Sequence, residues 1–278
     1  MEVPPLFFDK YFMKTVICTI ARNEGLYIED WALYHLAKGF DEIYVFDNGT
    51  EIPFKNQYIK VIDYRNETRD CPQMKAYNWF VKNIDYDWCA FIDVDEFITG
   101  PSDIKDYIKS FPTDTQVIKL NDVVYGDDGL IFPQDISIPV YNRILQPSTK
   151  NMLSSYKLIV KKNENMFFPT PHKVIHVGNQ YNSDRTPFTN ITYCCCRKED
   201  AILDGCYIRH YKTKTLSEFC KQKLNQPRVF CKSNIRHPNY YFRINEETPE
   251  KIEYINNMPT KWEPGMLGNA QPLPGFRV

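Results

Sequence analysis

The sequence lacks the features that identify several common protein classes. It contains neither a GxGxxG run nor a Walker sequence, so the usual glycine-rich route to dinucleotides or ATP is excluded. It has no apolar run of about 18 residues, and its first residues lack the basic-then-apolar layout of a secretory signal. We therefore expect a cytoplasmic protein without a membrane-spanning helix.

The cysteine and charge counts exclude further classes. The nine cysteines are odd in number and show no Cys-x-x-Cys spacing, which indicates reduced thiols rather than a disulfide framework or a zinc site. The net charge is -1 with 25% charged residues, so we expect neither general nucleic-acid binding nor disorder. A length of 278 residues fits one large α/β domain or two small ones.

Strands and helices alternate in the first hundred residues. Short apolar runs predict strands, and apolar residues at helical spacing predict helices. The predicted strands are 14–21, 41–48, 59–64 and 88–97, and the predicted helices are 27–38 and 73–84. This alternation predicts an α/β fold with a mostly parallel sheet flanked by helices.

After residue 101 the pattern becomes strand-rich and mixed, of the α+β kind. We expect a short helix at 102–111 capped by Ser102, strands at 116–125, 136–145, 156–161, 173–177 and 191–197, and a last helix at 215–224. Residues 226–278 show no strong periodicity and are expected to form a C-terminal extension. Residues 1–13 are expected to be a leader or a non-native remnant.

Three acids appear together at the end of the predicted strand 88–97: Asp93, Asp95 and Glu96. Because side chains alternate along a strand, Asp93 and Asp95 are expected to share one face. Two carboxylates placed in this way converge on one hard cation or one pyrophosphate–metal complex. The alternative is that the acids only solvate the end of a strand.

Polar residues also follow the first two predicted strands. In a parallel sheet the carboxyl ends of the strands lie side by side, so these residues would line one crevice, where nucleotides usually bind. A divalent ion held by Asp95 would neutralise a diphosphate there, leaving the second strand end for the base and ribose. The residues are Arg22, Asn23 and Glu24 after the first strand, and Asp47 and Asn48 at the end of the second.

A basic segment lies far along the chain. Residues 206–243 carry nine Lys or Arg and one acid, Glu218. His210, Lys212 and Lys214 come just before the last predicted helix, whose N-terminus favours anions. We expect this segment to cover the acidic crevice, with His210 as a third metal ligand and the lysines facing a departing phosphate. The alternatives are a surface helix with solvated lysines and a patch that touches anionic lipid.

Taken together, these blocks resemble the glycosyltransferase family 2-like and family 92-like group of GT-A enzymes, of the bacterial surface-polysaccharide type. The match runs in order through ARNEGLYIEDWALYHLAKGFDEIYVFDN, Pro72-Gln73, FIDVDEF, YGDDG, Lys157, His172 and RHYKTKTLSEFCKQK. The resemblance implies a GT-A domain over 14–225. Residues 14–100 would be its nucleotide-sugar-binding half, and 101–225 its mixed α+β acceptor and catalytic half.

The resemblance also implies roles for individual residues. It implies a nucleotide-sugar donor and a divalent cation, Mn²⁺ or Mg²⁺, bound by the Asp-x-Asp acids. The metal ligands would be Asp93, Asp95 and His210. The residues that bind the nucleotide-sugar would be Arg22, Asn23, Glu24, Asp47, Asn48, Gln73, Asp93, Lys157, His172 and Lys214.

The catalytic base is predicted in the run Gly-Asp-Asp-Gly at 126–129. An inverting transferase needs a carboxylate to take the proton of the attacking acceptor hydroxyl. Asp127 is the first candidate and Asp128 the second, since many relatives resemble Gly-Asp-Asn-Gly here. The alternative is a hairpin turn, which Asp and Gly build readily. A retaining mechanism would need no such base.

The sequence therefore predicts an inverting glycosyltransferase that moves a hexose from a UDP-sugar to a glycan or lipid-linked acceptor, in lipopolysaccharide or capsule synthesis. Its basic segment would allow peripheral contact with the inner membrane surface. Two other functions stay open. One is a nucleotidyltransferase or phosphohydrolase that uses the same carboxylate–metal cluster, and the other is an inactive module that binds a glycan or nucleotide.

Overall fold

The computed structural model describes residues 13–51, 54, 56–65, 71–189, 195–224 and 238–258. Almost all of the predicted leader, residues 225–237 of the basic segment and residues 259–278 of the predicted extension lie outside the described residues. Within the described ranges, no helix has both the length and the apolar composition needed to cross a membrane.

The described chain forms twelve strands and seven α-helices. The strands are β1 (Thr15–Ala21), β2 (Glu42–Asp47), β3 (Lys60–Asp63), β4 (Trp88–Phe91), β5 (Glu96–Thr99), β6 (Thr115–Val124), β7 (Leu153–Lys161), β8 (Phe167–Thr170), β9 (Lys173–Ile175), β10 (Asn179–Asn182), β11 (Cys195–Arg197) and β12 (Tyr207–His210). The helices are α1 (Ile28–Leu36), α2 (Pro72–Asn83), α3 (Ile104–Lys109), α4 (Val140–Arg143), α5 (Leu216–Phe219), α6 (Pro238–Phe242) and α7 (Pro249–Asn256).

The first half is a parallel sheet, as predicted. Its strands lie in the order β3-β2-β1-β4, and all three pairings are parallel. Strand β1 is apolar on both faces because both are covered. Ile17 belongs to one core cluster with Trp31 of α1, whereas Cys18 belongs to another with Phe80 of α2. The α/β class is confirmed.

The second half is mixed, also as predicted. From β4 the sheet continues through β7, β6, β12 and β5. The β6–β12 pairing is parallel and the other three pairings are antiparallel. One sheet therefore joins both halves and carries the acids and the basic segment on neighbouring strands.

The predicted strand 88–97 is two strands rather than one. Strand β4 ends at Phe91 and pairs with β1, whereas β5 begins at Glu96 and pairs with β12. Glu96 closes the break, because its carboxylate accepts a hydrogen bond from the Asp93 amide (2.9 Å) and its own amide donates to the Asp93 carbonyl (3.0 Å). The expectation that strand alternation aligns Asp93 with Asp95 is therefore wrong.

Three other predicted elements differ in the second half. The predicted strand 136–145 contains helix α4 instead, which follows Pro139, a residue without an amide to donate to a ladder. Helix α3 is capped by Asp103 rather than Ser102, since the Asp103 carboxylate accepts from the amides of residues 105 and 106. Of the predicted strand 191–197, residues 191–194 lie outside the described residues and β11 occupies the rest.

The last predicted helix is confirmed, with one irregularity. Helix α5 continues into a single π-helical turn, Cys220–Leu224, a rare kind of turn that is frequent at functional sites. The described part of the C-terminal extension forms α6 and α7, which the sequence did not predict. Tyr241 of α6 and Ile255 of α7 share a core cluster with Phe219 of α5.

Glu218 joins α5 to the first half of the chain. Its carboxylate closes a capping box with Thr215 and accepts a hydrogen bond from the Tyr27 hydroxyl (2.7 Å). It also forms two hydrogen bonds with the buried Arg143 guanidinium, at 2.7 and 3.1 Å. Helix α5 is thereby fixed beside the carboxyl end of β1.

Candidate active site

Asp93 lies in the break between β4 and β5 and faces two partners. Its carboxylate accepts a hydrogen bond from Gln73 of α2 (2.8 Å) and pairs with the Lys157 ammonium of β7 (2.8 Å). Although burial raises the pKa of Asp93, the Lys157 ammonium lowers it below its usual value. Three of the predicted donor-site residues, Gln73, Asp93 and Lys157, are thus in direct contact.

Asp95 lies two residues further on and faces the basic segment. One carboxylate oxygen, Oδ1, is 3.5 Å from Nε2 of His210, and the other, Oδ2, is 2.6 Å from the Lys223 ammonium. Burial alone raises the pKa of Asp95, but Lys223 and His210 hold it well below its usual range. Asp95 and His210, both predicted metal ligands, are therefore neighbours.

Glu96 was predicted to lie with the other two acids but was not assigned as a metal ligand. Its side chain is fully buried, with Oε2 at 3.0 Å from the Lys157 ammonium and Oε1 at 3.2 Å from Nδ1 of His210. Oε1 nevertheless has no hydrogen-bond partner. Burial raises the pKa of Glu96 to about 7, although Lys157 lowers it. A buried carboxylate oxygen without a hydrogen bond is costly unless something else binds it.

His210 is oriented by Asp122 of β6. Strand β12 pairs His210 with Glu96 on one side and with Val124 on the other. Nδ1 of His210 is 2.8 Å from Oδ2 of Asp122, whose other oxygen accepts from the Ser155 amide. This contact leaves Nε2 turned towards Asp95, as in the carboxylate–histidine pairs that orient metal-binding imidazoles. Asp122 is the single acid of β6, and the sequence around it carries no sign of its contact with His210.

Asp95, Glu96 and His210 fit a divalent cation. One ligand atom from each residue lies within 4.8 Å of the others. Two carboxylates and one imidazole form a donor set suited to a hard or borderline ion such as Mn²⁺. Oε1 of Glu96, which is buried without a hydrogen bond, independently indicates that the cluster is built to bind something. Asp93, also predicted as a metal ligand, is not part of this group, and its carboxylate contacts Lys157 and Gln73 instead.

The loops after β1 and β2 bind each other. Asp47 at the end of β2 is buried and accepts a hydrogen bond from the Thr50 amide (2.8 Å). Asn23, in the left-handed region with a φ of 57°, donates its amide to the Thr50 hydroxyl and accepts from the Glu51 amide. The Asn48 amide donates to the carbonyl of Ala21. The two strand ends that the sequence placed side by side are therefore joined.

The basic segment reaches the first of these loops. The buried Lys214 ammonium is 3.8 Å from Oε2 of Glu24 and lies 4.2 Å from the ring centroid of Tyr27. Oε2 of Glu24 and Nε of Arg22 are buried without hydrogen bonds. Three predicted donor-site residues, Lys214, Glu24 and Arg22, thus lie at this loop, and two of their polar atoms have no hydrogen-bond partner.

His172 lies behind Lys157 and is held neutral. Its Nδ1 is 2.8 Å from the carbonyl of Tyr156 on β7. Burial, followed by the nearby Lys157 charge, lowers the pKa of His172 to about 4. The ring therefore contributes polarity without charge beside the Lys157–Asp93 pair.

In the Gly-Asp-Asp-Gly turn, both acidic side chains are engaged by other parts of the protein. The buried Asp127 carboxylate accepts hydrogen bonds from the Tyr241 hydroxyl and the Gly129 amide and pairs with the Lys251 ammonium (2.5 Å). Asp128 has a φ of 49°, and its carboxylate accepts from the amides of residues 145 and 146. Asp127 thus joins the turn to α6 and α7, and Asp128 joins it to the segment after α4.

Comparisons with known proteins agree with the expected family. The model of glycosyltransferase family 92 matches residues 79–248. A glycosyltransferase family 92 protein of Ricinus communis is 30% identical over 104 residues, which cover 34% of this chain and 19% of that protein. The match thus spans about a fifth of that relative's length. The structure is also similar to that of TarS of S. aureus, with 18% identity and a TM-score of 0.34, over 56% of this chain and 30% of that one.

The family match includes β5, β6 and β12, the strands that carry Glu96, Asp122 and His210. The mixed sheet, parallel at its first strands, is consistent with a GT-A-like α/β fold. The bacterial surface-polysaccharide type stays a prediction. Because the family model covers more than half of the 278 residues, the chain belongs to glycosyltransferase family 92.

Proposed function

We propose that this protein is a metal-dependent glycosyltransferase that moves a hexose from a UDP-sugar to a glycan or lipid-linked glycan acceptor. The observation that carries the proposal is the buried cluster of Asp95, Glu96 and His210. It lies in the break after a strand of the parallel sheet, where ligands of open α/β folds bind. Family membership supports a sugar-transfer reaction.

In this proposal the cluster holds the cation, with Mn²⁺ preferred over Mg²⁺. When bound, the ion supplies a positive charge that stabilises the negative charge developing on the departing diphosphate. Asp122 keeps Nε2 of His210 facing Asp95, and Glu96 supplies the remaining carboxylate. Lys157 stays with Asp93 and Glu96 and offsets part of their negative charge.

The donor would lie between the two joined loops and the basic segment. Asp47 and Asn48 would face the base and ribose, and Arg22 and Glu24 bring polar atoms that have no hydrogen-bond partner. Lys214 would stabilise the diphosphate from the side of the basic segment. Gln73 fixes the Asp93 carboxylate beside the same region, and His172, bound to the carbonyl of Tyr156, would add a neutral polar ring there.

The transfer itself forms a bond between the acceptor oxygen and the anomeric carbon and breaks the bond from that carbon to UDP. We propose inversion at this carbon, with the acceptor proton passing to a carboxylate other than Asp127. The Asp127 carboxylate is buried and already bound by Tyr241, Gly129 and Lys251, so it is poorly placed to receive a substrate proton.

A panel of UDP-sugars tests this function. The protein is incubated with each donor at saturating Mn²⁺, and the released nucleotide and phosphate products are identified. We expect slow release of UDP from one donor, because many transferases hydrolyse their donor when the acceptor is missing. A GDP-sugar serves as the control and should release no GDP.

The products separate the rival functions. Pyrophosphate release would identify a nucleotidyltransferase, and orthophosphate release a phosphohydrolase. Thermal stabilisation by UDP without any turnover, even with glycan acceptors added, would identify a binding module. Each of these outcomes would contradict the proposed transfer.

A further inference from the structure

The Lys223 ammonium contacts one carboxylate oxygen of the candidate metal centre. It lies 2.6 Å from Oδ2 of Asp95, and both side chains are largely buried. A contact this short between opposite charges is a charge-assisted hydrogen bond. Asp95 therefore already binds one cation, which belongs to the protein itself.

The two oxygens of Asp95 have different partners. Oδ1 faces His210, on the side of Glu96, whereas Oδ2 is engaged by Lys223. A divalent ion bound by Asp95, Glu96 and His210 would come close to the ammonium in a site shielded from water. Like charges repel strongly there, so the ion and the ammonium are not expected to share Asp95.

The segment that carries Lys223 also contacts the donor-binding region. Lys223 belongs to the π-helical turn, and Gln222 beside it accepts a hydrogen bond from the Lys214 ammonium (3.4 Å). Lys214 in turn approaches Glu24 of the first loop. An ammonium that leaves Asp95 therefore stays next to the place where the donor diphosphate is proposed to bind.

We propose that Lys223 is a resident cation of the metal centre. It neutralises Asp95 while the centre is without metal, is displaced from Asp95 when the divalent ion binds, and then pairs with the donor diphosphate. This inference rests on the proposed function. Lys223 would therefore weaken the binding of the metal ion and strengthen the binding of the donor.

The test measures Mn²⁺ binding by isothermal titration calorimetry, without nucleotide, for the wild type and Lys223→Met. Because the ammonium competes for Asp95, its removal is expected to tighten Mn²⁺ binding about tenfold. UDP binding to the Mn²⁺-saturated variant is expected to weaken about tenfold, because a charged partner of the diphosphate is lost. Lys221→Met is the matched control, since Lys221 lies in the same π turn but is exposed, and it should change neither constant.

Equal or weaker Mn²⁺ binding by the folded Lys223→Met variant would overturn the inference. If that variant fails to fold, Lys223→Gln, which keeps a hydrogen-bond donor without the charge, answers the same question. Failure of the wild type and the variants to bind either Mn²⁺ or UDP would instead overturn the proposed function. The two failures are therefore distinguishable.

Discussion

Replacing Asp95 with asparagine is expected to abolish Mn²⁺ binding and to lower the rate of UDP release at least about a thousandfold. The substitution keeps the shape of the side chain but removes the charge that faces both His210 and Lys223. The variant leaves the cation with one charged ligand, Glu96, and the diphosphate charge would be less well stabilised. Calorimetry and a UDP-release assay measure the two effects.

The matched control for this substitution is Asp85→Asn. Asp85 carries a carboxylate that is 95% exposed and pairs with Lys162 at the surface. Surface pairs of this kind contribute little, so its rate and Mn²⁺ affinity should equal those of the wild type. An Asp95→Asn protein that keeps the wild-type rate and Mn²⁺ affinity would show that the metal centre lies elsewhere.

Replacing Asp127 with asparagine is expected to destabilise the fold by about 3–5 kcal/mol without removing activity. The substitution leaves the Lys251 ammonium, of which only 1% is exposed, without its ion-pair partner. The folded variant should release UDP at a rate within a few fold of the wild type. Denaturant unfolding and the rate per folded molecule separate the two effects.

The partner of this ion pair supplies a double-mutant cycle. Lys251→Met should also destabilise the protein. The double variant should lose less free energy of unfolding than the sum of the two single losses, because each single substitution leaves a buried charge unpaired. A stable Asp127→Asn protein with a rate near zero would reverse this interpretation and identify Asp127 as the base.

The fold of the first half follows from local sequence. Strands β1 and β2 are short apolar runs followed by polar residues, and α1 has apolar residues at helical spacing, so both kinds of element are visible without tertiary information. The break after Phe91 was not visible, because the run through Phe97 stays compatible with one strand. Only the pairing of β5 with β12 separates its two parts.

The candidate site was predictable where its residues are unusual in their local context. Asp95 follows an apolar run and His210 lies in a basic segment before a helix, and both were identified. Lys223 and Asp122 were not identified, because their roles depend on partners 128 and 88 residues away. A lysine in a basic helix and a single acid in a strand carry no sign of such a partner.

The Gly-Asp-Asp-Gly turn was predicted to be catalytic because the distant contacts of its acids were also invisible in the sequence. Its turn geometry was among the expected alternatives, but Tyr241, which binds Asp127, lies 114 residues later in a tail without strong periodicity. A short acidic motif therefore suggested catalysis where the tertiary contacts indicate an anchor for α6 and α7.

The most direct test of the central claim is metal removal from the wild type in the presence of its UDP-sugar donor. UDP release is followed with Mn²⁺, after treatment with EDTA, and after Mn²⁺ is restored in excess. Our account predicts that EDTA stops UDP release and that restored Mn²⁺ returns the full rate, because the ion binds again to Asp95, Glu96 and His210. UDP release that continues unchanged in EDTA would contradict the claim that these residues form a metal centre required for transfer.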